Sequence, residues 1–157
     1  MADKAFLISE AQKLLAKGLI DKAVAKWEEV AKAFPDGNTF NFIGDLYIKK
    51  GDRTHAIETF HKAARIYTDE GFSLKALALY KKILNINPQD AGSLIALGEL
   101  NEAKKLVPDA IRYYLSAADS LFKDRKLDDV PKIYDKIIRL SPTNTTLRIK
   151  IADKYTQ

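Results

Sequence analysis

The side chains considered for chemistry in this sequence are two histidines, the adjacent carboxylates at 69–70 and 128–129, and six serines. His55 and His61 lie six residues apart, whereas two histidines that ligate one metal ion from a helix need a spacing of three or four. The carboxylate pairs, at 69–70 and 128–129, fall at predicted helix boundaries, where capping and the helix dipole account for acidic residues. No serine lies in the strand-turn-helix context of a nucleophile. The sequence therefore predicts no catalytic residue, no metal site and no cofactor, and a protein that is not an enzyme.

Composition narrows the class of protein further. The 157 residues contain no cysteine, which excludes disulfides, thiolate metal sites and cysteine nucleophiles. No apolar run approaches the roughly 18 residues of a membrane span, and the N-terminus lacks the apolar core of a signal peptide. We therefore expect a cytoplasmic protein that does not insert into a membrane.

The net charge of +5 raises the question of nucleic acid, so its distribution matters. Basic and acidic residues number six and six in 1–36, eight and six in 37–90, nine and eight in 91–144, and three and one in 145–157. The excess is thin and spread along the chain, as expected for solvated helix faces. Binding of RNA by helical repeats is therefore the weakest of the binding hypotheses.

Apolar residues recur at spacings of three and four throughout, which predicts helices and no strands. Turn and cap signals divide the chain into nine helices of roughly 12–17 residues. Gly18, Gly51 and Gly71 are expected in the left-handed conformation that ends a helix, and Pro108 in the first turn of one. The fold class predicted is all-α.

A long internal period organises these helices. Shifting 37–90 by 54 residues onto 91–144 gives eleven identities, among them Gly44/Gly98, Lys82/Lys136 and Tyr80/Tyr134. Residues 1–36 match the later part of the same unit at a shift of 53. The sequence thus predicts modules at about 1–36, 37–90 and 91–144, of which the complete ones contain three helices each.

The residues at the packing positions resemble the tetratricopeptide repeat family. Residues 37–70 match best, through Phe40, Ile43-Gly44, Tyr47, Gly51, Ala56, Phe60 and Ala63. Residues 91–124 repeat the pattern, but Lys105 replaces the turn glycine and Asn101 replaces a large aromatic residue, so a looser hairpin is expected there. The resemblance implies one domain over 1–157, a right-handed α-solenoid of about nine antiparallel helices. Gly44 and Gly98 are predicted to let two helices approach closely.

The resemblance also implies a function, the binding of a peptide or helix of another protein in the groove that the first helices line. Asp45 and Glu99 in that groove would repel a carboxylate, which argues against capture of a C-terminal carboxylate. With three helices per module, however, equivalent helices of successive modules would fall on opposite layers of the solenoid. The sequence therefore does not determine which face is the groove. The predicted partner-binding residues are Asn41, Asp45, Ile48, Lys49, Ile95, Glu99, Glu102, Ile149, Lys150 and Asp153.

The last segment, 145–157, resembles the first helix of a further hairpin. A repeat that cannot cover its own apolar face needs a neighbour or a polar cap. We expect either that the chain is an N-terminal part of a longer repeat protein, or that this helix pairs two copies. The homodimer would use an uncovered apolar stripe of Leu147, Ile151 and Tyr155.

Overall fold

The computed structural model describes residues 3–155, and of Tyr155 only the backbone. This part of the chain contains helices and no strand, which confirms the all-α class. The nine α-helices have 11 to 17 residues, and a short 3-10 turn at Leu127–Asp129 precedes the eighth. They are α1 (Lys4–Ala16), α2 (Ile20–Ala33), α3 (Gly37–Lys50), α4 (Arg53–Asp69), α5 (Ser73–Ile86), α6 (Ala91–Ala103), α7 (Val107–Lys123), α8 (Val130–Leu140) and α9 (Thr145–Tyr155).

Local sequence explains where these helices begin and end. The side chains of Asp36, Asp52 and Asp90 each accept a hydrogen bond from a backbone N–H in the first turn of α3, α4 and α6. Gly18, Gly51 and Gly71 have φ values of 72°, 83° and 80°, and Pro108 lies in the first turn of α7, as predicted.

Two turns adopt the same left-handed conformation without a glycine. Lys105, between α6 and α7, has a φ of 60°, and Arg125, after α7, has a φ of 56°. In these turns the Cβ of the residue crowds its own backbone, which costs roughly 1–2 kcal/mol. The turn geometry is thus kept where the residue that favours it is absent.

Changing Lys105 to Gly is therefore expected to raise the free energy of unfolding by about 0.5–1 kcal/mol, because the strain is removed and part of the gain is lost to chain entropy. Urea denaturation followed by circular dichroism measures the change. Lys104→Gly, one residue earlier and at a negative φ of −85°, is the matched control and should lower stability instead. Equal effects of the two substitutions would contradict the argument.

The helices form two compact units, Met1–Ile86 with α1 to α5 and Asn87–Gln157 with α6 to α9. In the first unit each helix packs on the next one along the chain, and in the second α7 packs on both α6 and α8. Each unit therefore has its own core.

An aromatic ring against a glycine forms the centre of each core. Phe60 of α4 is fully buried, and a Cβ added at Gly44 of α3 would clash with its ring. In the second unit Tyr114 of α7 takes the same place, and a Cβ on Gly98 of α6 would lie 2.5 Å from its Cε1. The predicted close approach at both glycines is confirmed.

The two hairpins differ where Asn101 stands in place of the aromatic Tyr47. Tyr47 is buried and donates a hydrogen bond from its hydroxyl to Oε1 of Glu28, 2.5 Å away. Burial, followed by this hydrogen bond, raises the pKa of Tyr47 well above its ordinary value. Asn101 is also buried, and its amide donates to the carbonyl of Leu97 at 2.7 Å. Buried polar groups are normally hydrogen-bonded, and Asn101 finds its acceptor within its own helix.

Candidate partner-binding face

The predicted binding residues of α3 lie on one side of that helix. Asn41 and Asp45 are half-buried, Ile48 is 39% exposed and Lys49 is exposed. Their spacing of four, three and one residues keeps them within a narrow arc, because each residue turns the helix by about 100°. The side combines an amide, a carboxylate, an apolar side chain and a cation.

Lys82 of α5 joins this side of α3. Its Nζ donates to Oδ1 of Asp45 at 2.5 Å and to Oδ1 of Asn41 at 3.2 Å. It also lies 4.2 Å from the centroid of the Phe60 ring, within the range of a cation–π interaction. The side chain thus crosses over α4, and α3 and α5 present residues to the same face of the first unit.

The second unit repeats the arrangement 54 residues later. Nζ of Lys136 on α8 donates to Oε1 of Glu99 on α6 at 2.6 Å and lies 5.4 Å from the centroid of the Tyr114 ring. Ile95, half-buried, takes the position of Asn41. The first and third helices of a module therefore present residues to the same face within each unit.

These ion pairs correct one inference from the sequence. Asp45 and Glu99 were expected to repel an incoming carboxylate, yet each has a lysine against it. Because both side chains of each pair remain about a third to a half exposed, the pairs add little to stability. Their main effects are to neutralise the two carboxylates and to hold the polar groups of the face in place.

Glu102, which the sequence predicts to contact a partner protein, makes a hydrogen bond within the chain. Its Oε2 accepts the hydroxyl of Tyr114 at 2.7 Å. Burial and then this hydrogen bond raise the pKa of Tyr114 far above its ordinary value. Glu102 is exposed, but part of its hydrogen-bonding capacity is used to hold a core residue.

On α9, Ile149 is 60% exposed, and Lys150 and Asp153 are exposed. Asp153 also makes a polar interaction within the chain. These three side chains belong to α9, whereas Ile95 and Glu99 belong to α6. Each stays a predicted binding residue on its own helix.

The apolar stripe proposed for a homodimer is not uncovered. Ile151 is 4% exposed and belongs to the core with Tyr114, Val130 and Tyr134, while Leu147 is half-buried against the same cluster. The side chain of Tyr155 lies outside the described residues. The stripe was expected to be open because sequence periodicity does not show that α7 and α8 already supply its cover.

The acidic residues and the two histidines are the possible metal ligands in residues 3–155. No group of three or more metal-ligating side chains occurs among them. His55 is exposed, with Nδ1 2.7 Å from Oδ2 of Asp52, and the half-buried His61 lies beside the ring of Tyr80. None of the helices within the described range is long and apolar enough to cross a membrane.

The sequence did not single out the two lysines that join these faces, Lys82 and Lys136. The pair Lys82/Lys136 is one of the identities between modules, and the matched positions 45 and 99 on the first helices both carry a carboxylate. A shared cation opposite a shared anion, 37 residues apart in both modules, was the available signal.

One segment of the chain matches a known protein family. A family model described as a tetratricopeptide repeat matches residues 38–70, which span α3 and α4. Among curated proteins the search finds no match.

Solved structures of similar chains include MamA from Desulfovibrio magneticus RS-1, at 16% identity over 92% of this chain and 99% of that one, with a TM-score of 0.37. A thermophilic tetratricopeptide repeat protein of Thermus thermophilus gives 18% identity, coverage of 99% and 100%, and a TM-score of 0.35. The C-terminal repeat domain of a putative FK506-binding protein of Plasmodium falciparum gives 18% identity, coverage of 96% and 91%, and a TM-score of 0.45.

Proposed function

We propose, from the premise that this chain contains a tetratricopeptide repeat at residues 38–70, that it is a non-catalytic interaction scaffold. The ligand is a peptide or helix segment of another protein, and the site in the first unit is the face shared by α3 and α5. We call this the Asn41 face, defined by Asn41, Asp45, Ile48, Lys49 and Lys82. A cytoplasmic location goes with the proposal and rests on the sequence alone.

The observation that carries the proposal is the way Lys82 fixes the polar groups of this face. Because Lys82 donates to the amide oxygen of Asn41, the amide NH₂ is left to donate to a partner. Asp45 uses Oδ1 for the same lysine and keeps Oδ2 as an acceptor. One helical turn thus presents a donor and an acceptor whose positions are set before binding, which lowers the entropic cost of recognition.

Ile48 and Lys49 complete the face beside these groups. Ile48 offers apolar area that a partner can bury, and Lys49 makes no ion pair with any described residue. A main-chain amide of a bound segment suits the donor and acceptor, and an apolar side chain of that segment suits Ile48. The second unit offers a more apolar version, with Ile95 in place of Asn41.

Copurification tests this site. We expect Asn41→Ala, Ile48→Ala and Lys49→Ala together to reduce the recovery of partner proteins from cells by about tenfold or more, as measured by quantitative mass spectrometry. The matched control changes three exposed residues of α2 and α4, Lys22, Glu58 and Arg65, to Ala. Equal recovery with the wild type and the Asn41-face variant would show that this face is not the site.

Self-association is the alternative function, now without an open stripe to support it. Ile149, a large apolar residue of α9, is 60% exposed, so a homodimer through the described part of this helix would depend on it. Sedimentation velocity over a wide range of protein concentration tests the alternative. A dimer that dissociates in Ile149→Ser would establish it, and a monomer at all concentrations would remove it.

A further inference from the structure

A second surface of the first unit has a shape and charge that the proposed function does not use. A hollow of about 230 Å³ opens between α2 and α4, with α3 as its floor. Phe40 and Ile43 of α3 form that floor, Lys32 of α2 and Lys62 of α4 stand at its sides, and Glu28 and Thr59 complete its polar lining. We call it the Lys32–Lys62 hollow.

The hollow does not belong to the Asn41 face. At about 100° per residue, the mean direction of Phe40 and Ile43 lies roughly 140° around α3 from that of Asn41, Asp45 and Ile48, although Phe40 and Ile48 are only about 80° apart. The two surfaces can therefore be occupied and mutated independently.

The charges around the hollow are unbalanced. Lys32 is exposed, and Lys62 is exposed with Nζ 6.0 Å from the centroid of the Phe40 ring. Neither forms an ion pair with a described residue, whereas Lys4, Lys26, Lys50 and Lys82 of the same unit do. The hollow thus has, on either side of an apolar floor, two lysines that make no ion pair with a described residue.

The remaining polar groups of the lining are already engaged. Glu28 accepts the hydroxyl of Tyr47 at 2.5 Å, and Thr59 donates its hydroxyl to the carbonyl of His55 at 2.7 Å. Glu28 still carries a negative charge, so the lining keeps an excess of one positive charge. An incoming group would find an apolar floor, two ammonium groups and the second carboxylate oxygen of Glu28.

The size of the hollow narrows the choice of occupant. Drug-sized ligands occupy pockets of about 300–1,000 Å³, and this hollow is smaller. It has room for one aromatic or branched aliphatic side chain. The two lysines, which lie on different helices, would then meet negative charges next to that side chain.

We propose that the Lys32–Lys62 hollow is a second binding site, which takes an apolar side chain flanked by carboxylates from an acidic segment of a partner protein. The apolar side chain packs on Phe40 and Ile43, and the flanking carboxylates pair with Lys32 and Lys62. Partial desolvation beside the apolar floor strengthens these ion pairs relative to pairs on an open surface.

Three capped peptides test the proposal by two-dimensional NMR with the ¹⁵N-labelled protein. The first, Glu-Glu-Phe-Glu-Glu, carries both features, Gln-Gln-Phe-Gln-Gln lacks the charge, and Glu-Glu-Ala-Glu-Glu lacks the ring. We expect the first to shift the amide signals of Phe40, Thr59 and Lys62, and to bind about fivefold or more tightly than either of the others. Equal binding of all three peptides, or shifts confined to other residues, would overturn the proposal.

Variants separate this site from the general charge of the protein and from the Asn41 face. The double variant Lys32→Ala/Lys62→Ala should bind the first peptide about fivefold more weakly than the wild type. The double variant Lys13→Ala/Lys22→Ala, which changes two exposed lysines elsewhere in the unit, should bind it as the wild type does. The triple Asn41-face variant should bind this peptide as the wild type does. An equal loss in the two lysine pairs would assign the binding to net charge and overturn the site.

A dilution series of the protein alone tests whether the occupant is instead a second copy. Phe72 is 50% exposed and follows Asp69 and Glu70, so the chain itself carries an acidic segment with an aromatic residue. Signals of the hollow that do not change on dilution support a separate partner. Shifts at both Phe40 and Phe72 that vanish on dilution would overturn the assignment to another protein.

Discussion

Replacing Gly98 by Ala is expected to lower the free energy of unfolding by about 1–3 kcal/mol, as overpacking of a filled core does. The new Cβ would lie 2.5 Å from Cε1 and 2.6 Å from Cδ1 of Tyr114, well inside the ordinary contact distance of two carbon atoms. The ring has no room to retreat, since Tyr114 is fully buried. Urea denaturation followed by far-ultraviolet circular dichroism measures the loss.

The control for this substitution lies on the same helix. Gly92 is also in α6 but exposed, so Gly92→Ala meets the helix preference for alanine without the buried ring. We expect it to leave stability unchanged or to raise it by up to about 1 kcal/mol. A loss at Gly92 as large as that at Gly98 would mean that the contact with Tyr114 is not the cause.

Replacing Tyr114 by Ala has the largest expected effect, a loss of about 3–5 kcal/mol in the free energy of unfolding. The ring of Tyr114 lies against Gly98 of α6 and belongs to the same buried cluster as Val130, Ile133 and Ile137 of α8. Removing the ring leaves a cavity that the surrounding helices close only in part. The same denaturation measurement applies, and a loss below about 1 kcal/mol would contradict the assigned role.

Tyr114→Phe is the matched variant that separates packing from hydrogen bonding. It keeps the ring against Gly98 and removes the hydroxyl that Glu102 accepts. Because Glu102 is exposed and can bind water instead, we expect a loss of only about 1 kcal/mol. A loss equal to that of Tyr114→Ala would place the stabilisation in the hydrogen bond.

The effects of the substitutions at positions 98 and 114 on stability should depend on each other, in a direction that can be tested. In the Tyr114→Ala background the clash at position 98 disappears, so Gly98→Ala should become neutral or stabilising through helix preference alone. A double-mutant cycle then gives a coupling energy of about 1–3 kcal/mol. Strictly additive effects would contradict the direct contact.

The binding hypotheses depend on residues whose exposure the sequence could not give. Of the ten predicted binding residues, Asn41, Asp45, Ile48 and Lys49 share one face in the structure, and a lysine from α5 joins them. The membership of Ile95, Glu99, Glu102 and the three residues of α9 in a common groove stays a prediction. These side chains lie on separate helices, and only contacts between helices could group them.

By itself, the sequence determined the nine helices, their ends and the 54-residue period. These features depend on neighbours within one helix turn: apolar spacing, aspartates that cap, and Gly18, Gly51 and Gly71 at left-handed turns. The close approach at Gly44 and Gly98 was also predicted from the sequence, whereas the structure showed that the rings of Phe60 and Tyr114 lie against these glycines.

Only the tertiary structure decided which charges meet and which apolar faces are covered. Lys82 finds Asp45 and Lys136 finds Glu99 across an intervening helix, 37 residues away along the chain. Ile151 is buried because α7 and α8 close over it, although its own helix reads as an open stripe. Helix periodicity shows which side of a helix is apolar, but the packing of the helices determines what covers that side. The packing also determines which charged groups come close enough for a long lysine side chain to pair with them.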